Sequence, residues 1–419
     1  MHSKLSGYLS KVFDHSHNMA NHDEPTPAPV TASPTASPAA ADAPMSLKPA
    51  ATTSDEQTTV RKTTSAGSAS PTERPTPYIV PGWTDEPIEA APHEEGVDDY
   101  DDADSALGEG DNASSTASLT ESILEYRTLN GRTYNSGKHG ADKYWGPNDE
   151  RQNEAMDMNH HFMTLCLGGN LFLAPLKNDI ELVLDIGTGT GLWPIDMGDE
   201  YPNCQIIGTD LSPIQPTWCP PNVKFEIDDL EKEWTYAPNS FDYIHIRYMV
   251  GSVSDWPKLF RQAFKALKPG GWIESFEVEA DYRSDDGTLK PDSAMIMWRD
   301  LFTEGGKKLG LSFTLLSDDV QRKGIEDAGF VDLTVKDIKV PMGPWPADPK
   351  LKEIGQWAQY TLEQDLEGFV MFMWNTVLGR SLEEMQVFLA AFRKELRSSR
   401  TIHAYLPQRV VYARKPEAA

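Results

Sequence analysis

Leu182-Val-Leu-Asp185-Ile-Gly187-Thr-Gly189-Thr-Gly191 decides the fold. A short apolar run passes directly into alternating glycines and then into a helical pattern, so a buried strand enters a tight turn that opens a helix. Glycines there allow positive φ and let a ligand approach the backbone, while the helix N-terminus offers unpaired N–H groups and positive potential. The spacing is GxGxG, which by itself suits an adenosine cofactor or a dinucleotide.

Outward from this stretch, strands and helices alternate. Strands are expected at 181–186, 205–211, 223–228, 241–247, 272–279 and 330–340. Helices are expected at 149–167, 190–201, 256–267, 294–309 and 318–328. Lys268-Pro269-Gly270-Gly271 stops the helix before the fifth strand. The pattern predicts an α/β, Rossmann-like fold: a mainly parallel seven-stranded sheet with helices on both faces and an N-terminal helical cover. The partner of the strand at 330–340 is expected only at 409–415, after two helical patterns at 351–366 and 382–396, which defines a helical insertion over 345–406. Such an insertion shapes a substrate pocket or an oligomer contact.

Ligands of open α/β sheets bind beyond the carboxyl ends of the strands. Asp185, Asp210 in Ile207-Gly-Thr-Asp210-Leu-Ser212, and Asp228-Asp229-Leu230 all fall on that rim. Asp210 can accept both ribose hydroxyls of an adenosine, an Asp at 228–229 can read an adenine edge, and Asp185 can face an ammonium or sulfonium.

Residues 1–118 are rich in Pro, Ser, Thr and Ala, bury too little apolar surface to offset ordering entropy, and are expected to be disordered. Leu5, Tyr8, Leu9, Val12 and Phe13 share one helical stripe, so 3–14 is a candidate amphipathic helix for docking to a partner or a membrane surface. The formal charge is −26, from 38 basic and 64 acidic residues. Twelve carboxylates lie between Asp85 and Asp111 without a Lys or Arg; six basic and seven acidic groups precede them, so residues 112–419 are left with −13. That balance argues against direct nucleic-acid binding. Cys166, Cys204 and Cys219 are scattered and make neither a disulfide framework nor a zinc site, and no metal is expected. No apolar run reaches the roughly 18 residues that span a bilayer, so an intracellular setting is expected, in the cytoplasm and, carried by a partner, the nucleus, with any membrane association peripheral.

The glycine loop, the Thr209-Asp210-Leu211-Ser212 strand end, the 228–230 turn and Leu267-Lys-Pro-Gly-Gly-Trp-Ile-Glu274 together resemble class I S-adenosylmethionine-dependent methyltransferases. The set Tyr144-Trp-Gly-Pro-Asn-Asp-Glu150, His160-His161, Leu173-Ala-Pro175, Phe241-Asp-Tyr-Ile-His-Ile-Arg247, Ser284-Asp-Asp-Gly287 and Gly343-Pro-Trp-Pro346 is similar to the fungal LaeA-like methyltransferases, over roughly 122–416. That resemblance implies S-adenosylmethionine as cofactor and a regulator of secondary metabolism and development. Its implied partners are a velvet-type protein, a zinc-finger protein or a second methyltransferase. It implies a cofactor loop of Gly187, Thr188, Gly189 and Gly191, with Asp185 and Arg247 at the methionine end. Asp210 and Leu211 fall to the ribose, Asp228, Asp229 and Leu230 to the adenine, and Tyr144 with the 148–150 turn acts as a cover.

The acceptor is not written in the chain. His245 and Glu277 are the candidate general bases, with Glu279, His160 and His161 as further groups within reach of the rim. Trp256, Trp272, Trp298, Trp345, Trp357 and Trp374 are candidates for an apolar acceptor pocket. A small-molecule O- or N-methyltransferase, and a cofactor-binding scaffold without transfer, are the competing readings. A pocket sealed by the insertion would favour the small-molecule reading.

Overall fold

The computed structural model describes residues 86–92, 126–135 and 144–417. Its main sheet contains β3 (Leu182–Ile186), β4 (Gln205–Asp210), β5 (Val223–Ile227), β6 (Phe241–Arg247), β7 (Leu267–Val278), β8 (Val331–Pro341) and β9 (Tyr405–Arg414). Their order across the sheet is β5-β4-β3-β6-β7-β9-β8, and β9 alone runs opposite to the other six. The parallel strands need crossovers, which α2 (Leu192–Glu200) and α3 (Trp256–Ala266) supply within the first half. Alternation along β3 sends Leu184 and Ile186 into the larger apolar core and Val183 into a second one with Trp193, Ile206 and Tyr243, so both faces of the sheet are covered.

Several boundaries differ from the sequence reading for identifiable reasons. Lys268-Pro-Gly-Gly271 does end α3, but the chain continues as strand: Phe241 pairs Leu267 and Tyr243 pairs Trp272, so the intervening residues bulge out of register. Gly270 takes φ +80 there. Lys268 Nζ reaches Asp242 at 2.9 Å and Glu181 at 3.0 Å, fastening the bulge to the start of β3. The strand expected from Arg409 begins at Tyr405 because β8 offers partners as far as Pro341.

A two-stranded hairpin, β1 (Arg127–Leu129) and β2 (Arg132–Tyr134), was not anticipated. Asn130 and Gly131, both at positive φ, make its turn, and that dipeptide between two β-prone triplets was the available signal.

The cover helix α1 (Glu150–Cys166) starts at an Asp149 cap that accepts from Gln152 N. Asp149 is also held by Arg132, whose guanidinium bridges to buried Asp365 at 2.6 Å and so ties hairpin, cover and insertion together. The insertion comprises α6 (Pro349–Gln364), α7 (Leu366–Met371), a π-helical turn (Phe372–Val377) and α8 (Leu382–Arg397). It follows α4 (Ala294–Leu309) and α5 (Val320–Asp327). The segment after Leu366 had been left unassigned by the sequence. α6 lies along α1, and Phe392 of α8 meets Trp298 of α4 at 4.8 Å between ring centroids.

Within the stretch expected to be disordered, 86–92 is held in place. Ala90 bridges Pro346, Ala91 N donates to Trp345 O at 2.9 Å, Ala347 N donates to Glu89 O at 2.8 Å, and Ile88 packs on the core. Partly buried Ile88 and two backbone hydrogen bonds fasten this short piece to the 345–347 segment and the core. The candidate helix at 3–14 and the rest of the acidic run lie outside the described residues.

Candidate active site

A cleft opens at the carboxyl edge of β3, β4 and β6, under α1. Gly187 N and Thr188 N both donate to Thr209 O at 2.9 Å, which pins the glycine loop to β4. Gly187, Gly189 and Gly191 take φ of +70, +57 and +86. A Cβ at Gly187 would meet Met249 Sδ at 2.2 Å and one at Gly191 would meet Phe225 at 2.6 Å, whereas one at Gly189 meets nothing within 4 Å. The outer glycines are thus demanded by packing, and the middle one keeps the cleft floor open. Gly191 caps α2 without a side-chain bond, so the first N–H groups of α2 remain available.

Asp210 sits at the end of β4 with Oδ2 accepting from Gly189 N at 2.8 Å and Oδ1 from Ser212 N at 2.9 Å. Burial pushes its carboxyl up to about 6 despite those donors. Gln215 closes the loop from the other side, donating to Gly189 O at 2.6 Å, and Asn135 beyond β2 donates to Ser212 Oγ at 3.0 Å. Neither residue was singled out from sequence. The role of Gln215 depends on a turn geometry that composition does not specify.

Tyr144, Thr188, Gly187, Gly189, Asp210, Leu211, Asp228, Asp229, Leu230 and Arg247 all border this one cleft. Gly191 lies just behind, against Phe225. Further bordering residues were missed: Gln152, Met156 and Asn159 from α1, and Tyr248, Met249 and Ser252 after β6. Tyr248 takes φ +58, uncommon for a tyrosine, at the point where β6 turns along the cleft.

Several expectations are corrected. Asp185 does not face the cleft; it is 3% exposed, and its register partner on β6 is His245, on the same face of the sheet. The carboxylate therefore meets an imidazole rather than a ligand, with Asp185 Oδ1 2.7 Å from His245 Nδ1. His245 is correspondingly enclosed, stacked on Trp193 at 3.8 Å and 5°, and does not border the cleft. Burial lowers its pKa, so the ring is neutral, donates from Nδ1 to Asp185 and keeps an unpartnered Nε2 inside the protein.

Glu277 is fully buried and does not reach the cleft either. Its Oε1 accepts from Met249 N at 3.1 Å, so it shapes the loop that carries Met249 over Gly187, and burial pushes its carboxyl up to about 8. Glu274 accepts from Leu173 N and Ala174 N at 2.9 and 2.7 Å, and Glu279 pairs with Arg283 at 3.0 Å. The histidine pair separates as well: His160 borders the cleft, while His161 packs edge-on against Trp357. The tryptophan pocket does not form. Trp256, Trp298, Trp345 and Trp374 are core, and the indole at the cleft is Trp193.

Unpartnered buried polar atoms cluster at the same cleft: both side-chain amide atoms of Asn148, Gln152 Oε1, Asn159 Oδ1, Thr188 Oγ1 and Arg247 Nη1. Buried polar groups are normally satisfied, so these fit a polar, zwitterionic ligand. With the open glycine floor and Asp210, they fit S-adenosylmethionine. Among the described residues there is no group of three or more side chains that could hold a metal ion, and no helix long and apolar enough to cross a membrane.

The sheet order and the cleft define a class I S-adenosylmethionine-dependent methyltransferase. A family model described as a methyltransferase domain matches residues 158–317. Methyltransferase pytC of Aspergillus terreus is 42% identical over 307 residues, 73% of this chain and 93% of the relative. Secondary metabolism regulator LAE1 of Cochliobolus heterostrophus is 36% identical over 294 residues, 69% of this chain and 94% of the relative. Protein-methionine methyltransferase laeA of Emericella nidulans is 32% identical over 70% of this chain and 77% of its own. Among solved structures, phosphoethanolamine N-methyltransferase 2 of Haemonchus contortus with S-adenosyl-L-methionine is 21% identical, covering 66% of this chain and 55% of that one, with a TM-score of 0.36. The chain belongs to the LaeA-like methyltransferases, and its cofactor is S-adenosylmethionine.

Proposed function

We propose that the protein transfers a methyl group to an acceptor that arrives at an open cleft already nucleophilic, and that this transfer serves regulation of fungal secondary metabolism and development. The observation that carries the reading is the position of the insertion: no residue of 345–406 borders the cleft. The insertion packs instead behind α1, so the site is not sealed into a small-molecule pocket.

When bound, S-adenosylmethionine would supply an electrophilic methyl carbon on a sulfonium, with S-adenosylhomocysteine as the leaving group. The protein has to bind, orient and exclude water. Asp210 holds the ribose edge, Asp228, Asp229 and Leu230 border the adenine end, and Arg247, Gln152 and Asn148 serve the amino-acid end. Tyr144 covers the cofactor from the N-terminal side. Neither His245 nor Glu277 reaches the cleft, His160 at its border has both ring nitrogens engaged by Arg247 and Asp196, and burial raises the Tyr144 and Tyr248 phenols away from basicity near neutral pH. An acceptor that needs no deprotonation fits these groups, and a thioether sulfur is one. The laeA relative's description as a protein-methionine methyltransferase supports that reading. A velvet-type protein, a zinc-finger protein or a second methyltransferase is the proposed partner class, with activity in cytoplasm and nucleus.

The identity to pytC, named only as a methyltransferase, favours a second reading in which the acceptor is a pathway metabolite. Incubating the purified full chain with methyl-labelled S-adenosylmethionine and fungal extract separates the two. Label in a protein band supports the regulatory reading, and label confined to the organic fraction overturns it in favour of the biosynthetic one.

A further inference from the structure

Arg247 is a buried cation, and among the described residues it makes no ion pair. Its Nη2 lies 2.7 Å from His160 Nδ1, and its Nη1 is buried without a partner at the edge of the cleft. A guanidinium has only donors, so the contact requires His160 Nδ1 to present its lone pair. The proton of the neutral ring then sits on Nε2, which donates to Asp196 Oδ2 at 2.9 Å. Asp196 belongs to α2, the helix that begins at the glycine loop, and its side chain is half exposed. The chain Asp196, His160, Arg247 therefore runs from the surface to the cleft and stops at an unused donor. Asp185, Asp196 and Glu274 act on the guanidinium from beyond ion-pair distance, and the buried Nη1 donor without an acceptor is the place left for a ligand anion.

We propose that Asp196 and neutral His160 are positioning residues. They select the imidazole tautomer that orients Arg247, so that its free Nη1 meets an anionic group of the ligand, the carboxylate at the methionine end of S-adenosylmethionine. The inference rests on the reading of Arg247 as serving that end.

Protonation of His160 would place a second donor and a like charge against the guanidinium, so the arrangement is lost in acid. The groups facing His160 are Asp196 from α2, Arg247 and neutral His245 from β6, and Asp185 from β3. Burial is the largest influence and lowers its pKa, which puts the loss below the ordinary histidine range.

The test compares two probes on the full chain: S-adenosylhomocysteine, which carries the amino-acid carboxylate, and 5′-methylthioadenosine, which lacks it. Asp196→Ala, at a half-exposed position, is expected to weaken S-adenosylhomocysteine by about five- to tenfold, with methylthioadenosine affinity and melting temperature unchanged. In the wild type the affinity ratio of the two probes should fall towards one as pH drops below the ordinary histidine range. His160→Asn, which retains an acceptor and does not titrate, should hold the ratio constant over the same range. Equal weakening of both probes by Asp196→Ala, or an unchanged ratio, overturns the positioning role. If Arg247→Gln also leaves the ratio unchanged, the placement of Arg247 at the methionine end fails with it. If Arg247→Gln lowers the ratio while Asp196→Ala does not, only the positioning role falls.

Discussion

Asp185 and His245 stand side by side on adjacent parallel strands, joined Oδ1 to Nδ1 at 2.7 Å and closed off by the Trp193 ring. The carboxylate at the end of the first parallel strand is thereby spent on an internal partner, and the imidazole that had the look of a general base is the group it holds.

The pair predicts a separation of stability from binding. Asp185→Ala leaves the His245 Nδ1–H buried without an acceptor and is expected to cost about 1–3 kcal/mol of stability. Cofactor affinity should stay within about twofold, because the lost group borders no ligand space. Thermal melting and S-adenosylhomocysteine titration of the variant check this. A tenfold loss of affinity at unchanged melting temperature would return Asp185 to the ligand.

Asp210 predicts the pH dependence of adenosine binding. With its carboxyl raised to about 6, the ionised form that accepts ribose hydroxyls is complete above neutral pH and is lost as pH falls through 6. Methylthioadenosine affinity should follow that curve, since the probe carries the ribose but nothing for Arg247. Asp210→Ala should bind about 1–3 kcal/mol more weakly with the acid limb removed. Wild-type affinity in that variant would exclude the ribose contact.

Glu277 predicts a stability effect of the opposite kind from an ion pair. Its folded-state pKa, about 8, lies above the unfolded carboxylate value, so between the two the folded protein binds the extra proton. Stability therefore falls as pH rises through that window. Glu277→Gln keeps an acceptor for Met249 N and removes the titration. Its melting temperature at pH 8 should exceed that of the wild type by about 2–4 °C, with little difference at pH 5. A parallel pair of melting curves across that range would show that Glu277 titrates normally.

Much of this site was legible in the chain because its key features are local. Three glycines at alternate positions after an apolar strand can only be a tight turn into a helix, and Asp210 and Asp229 follow at strand ends that the hydrophobic pattern already marks. Asn130-Gly131 was equally legible and went unread. The roles of Glu274 and Glu277 were not. Nothing in a strand sequence says that one glutamate will fasten the loop at Leu173 and another the loop at Met249, because both backbone donors come from segments brought to the strand only by the fold.

The sequence by itself determined the α/β architecture, the glycine loop and the rim of carboxylates, since periodicity and turn chemistry act between neighbours along the chain. The tertiary structure alone decided which rim residues face a ligand. Strand register set Asp185 against His245 instead of the cleft, the placement of α1 brought His160 to Arg247, and the packing of 345–406 against α1 and α4 kept the insertion off the border of the cleft. Each of these follows from contacts between residues far apart in sequence, where side-chain direction is set by register and helix packing rather than by local preference.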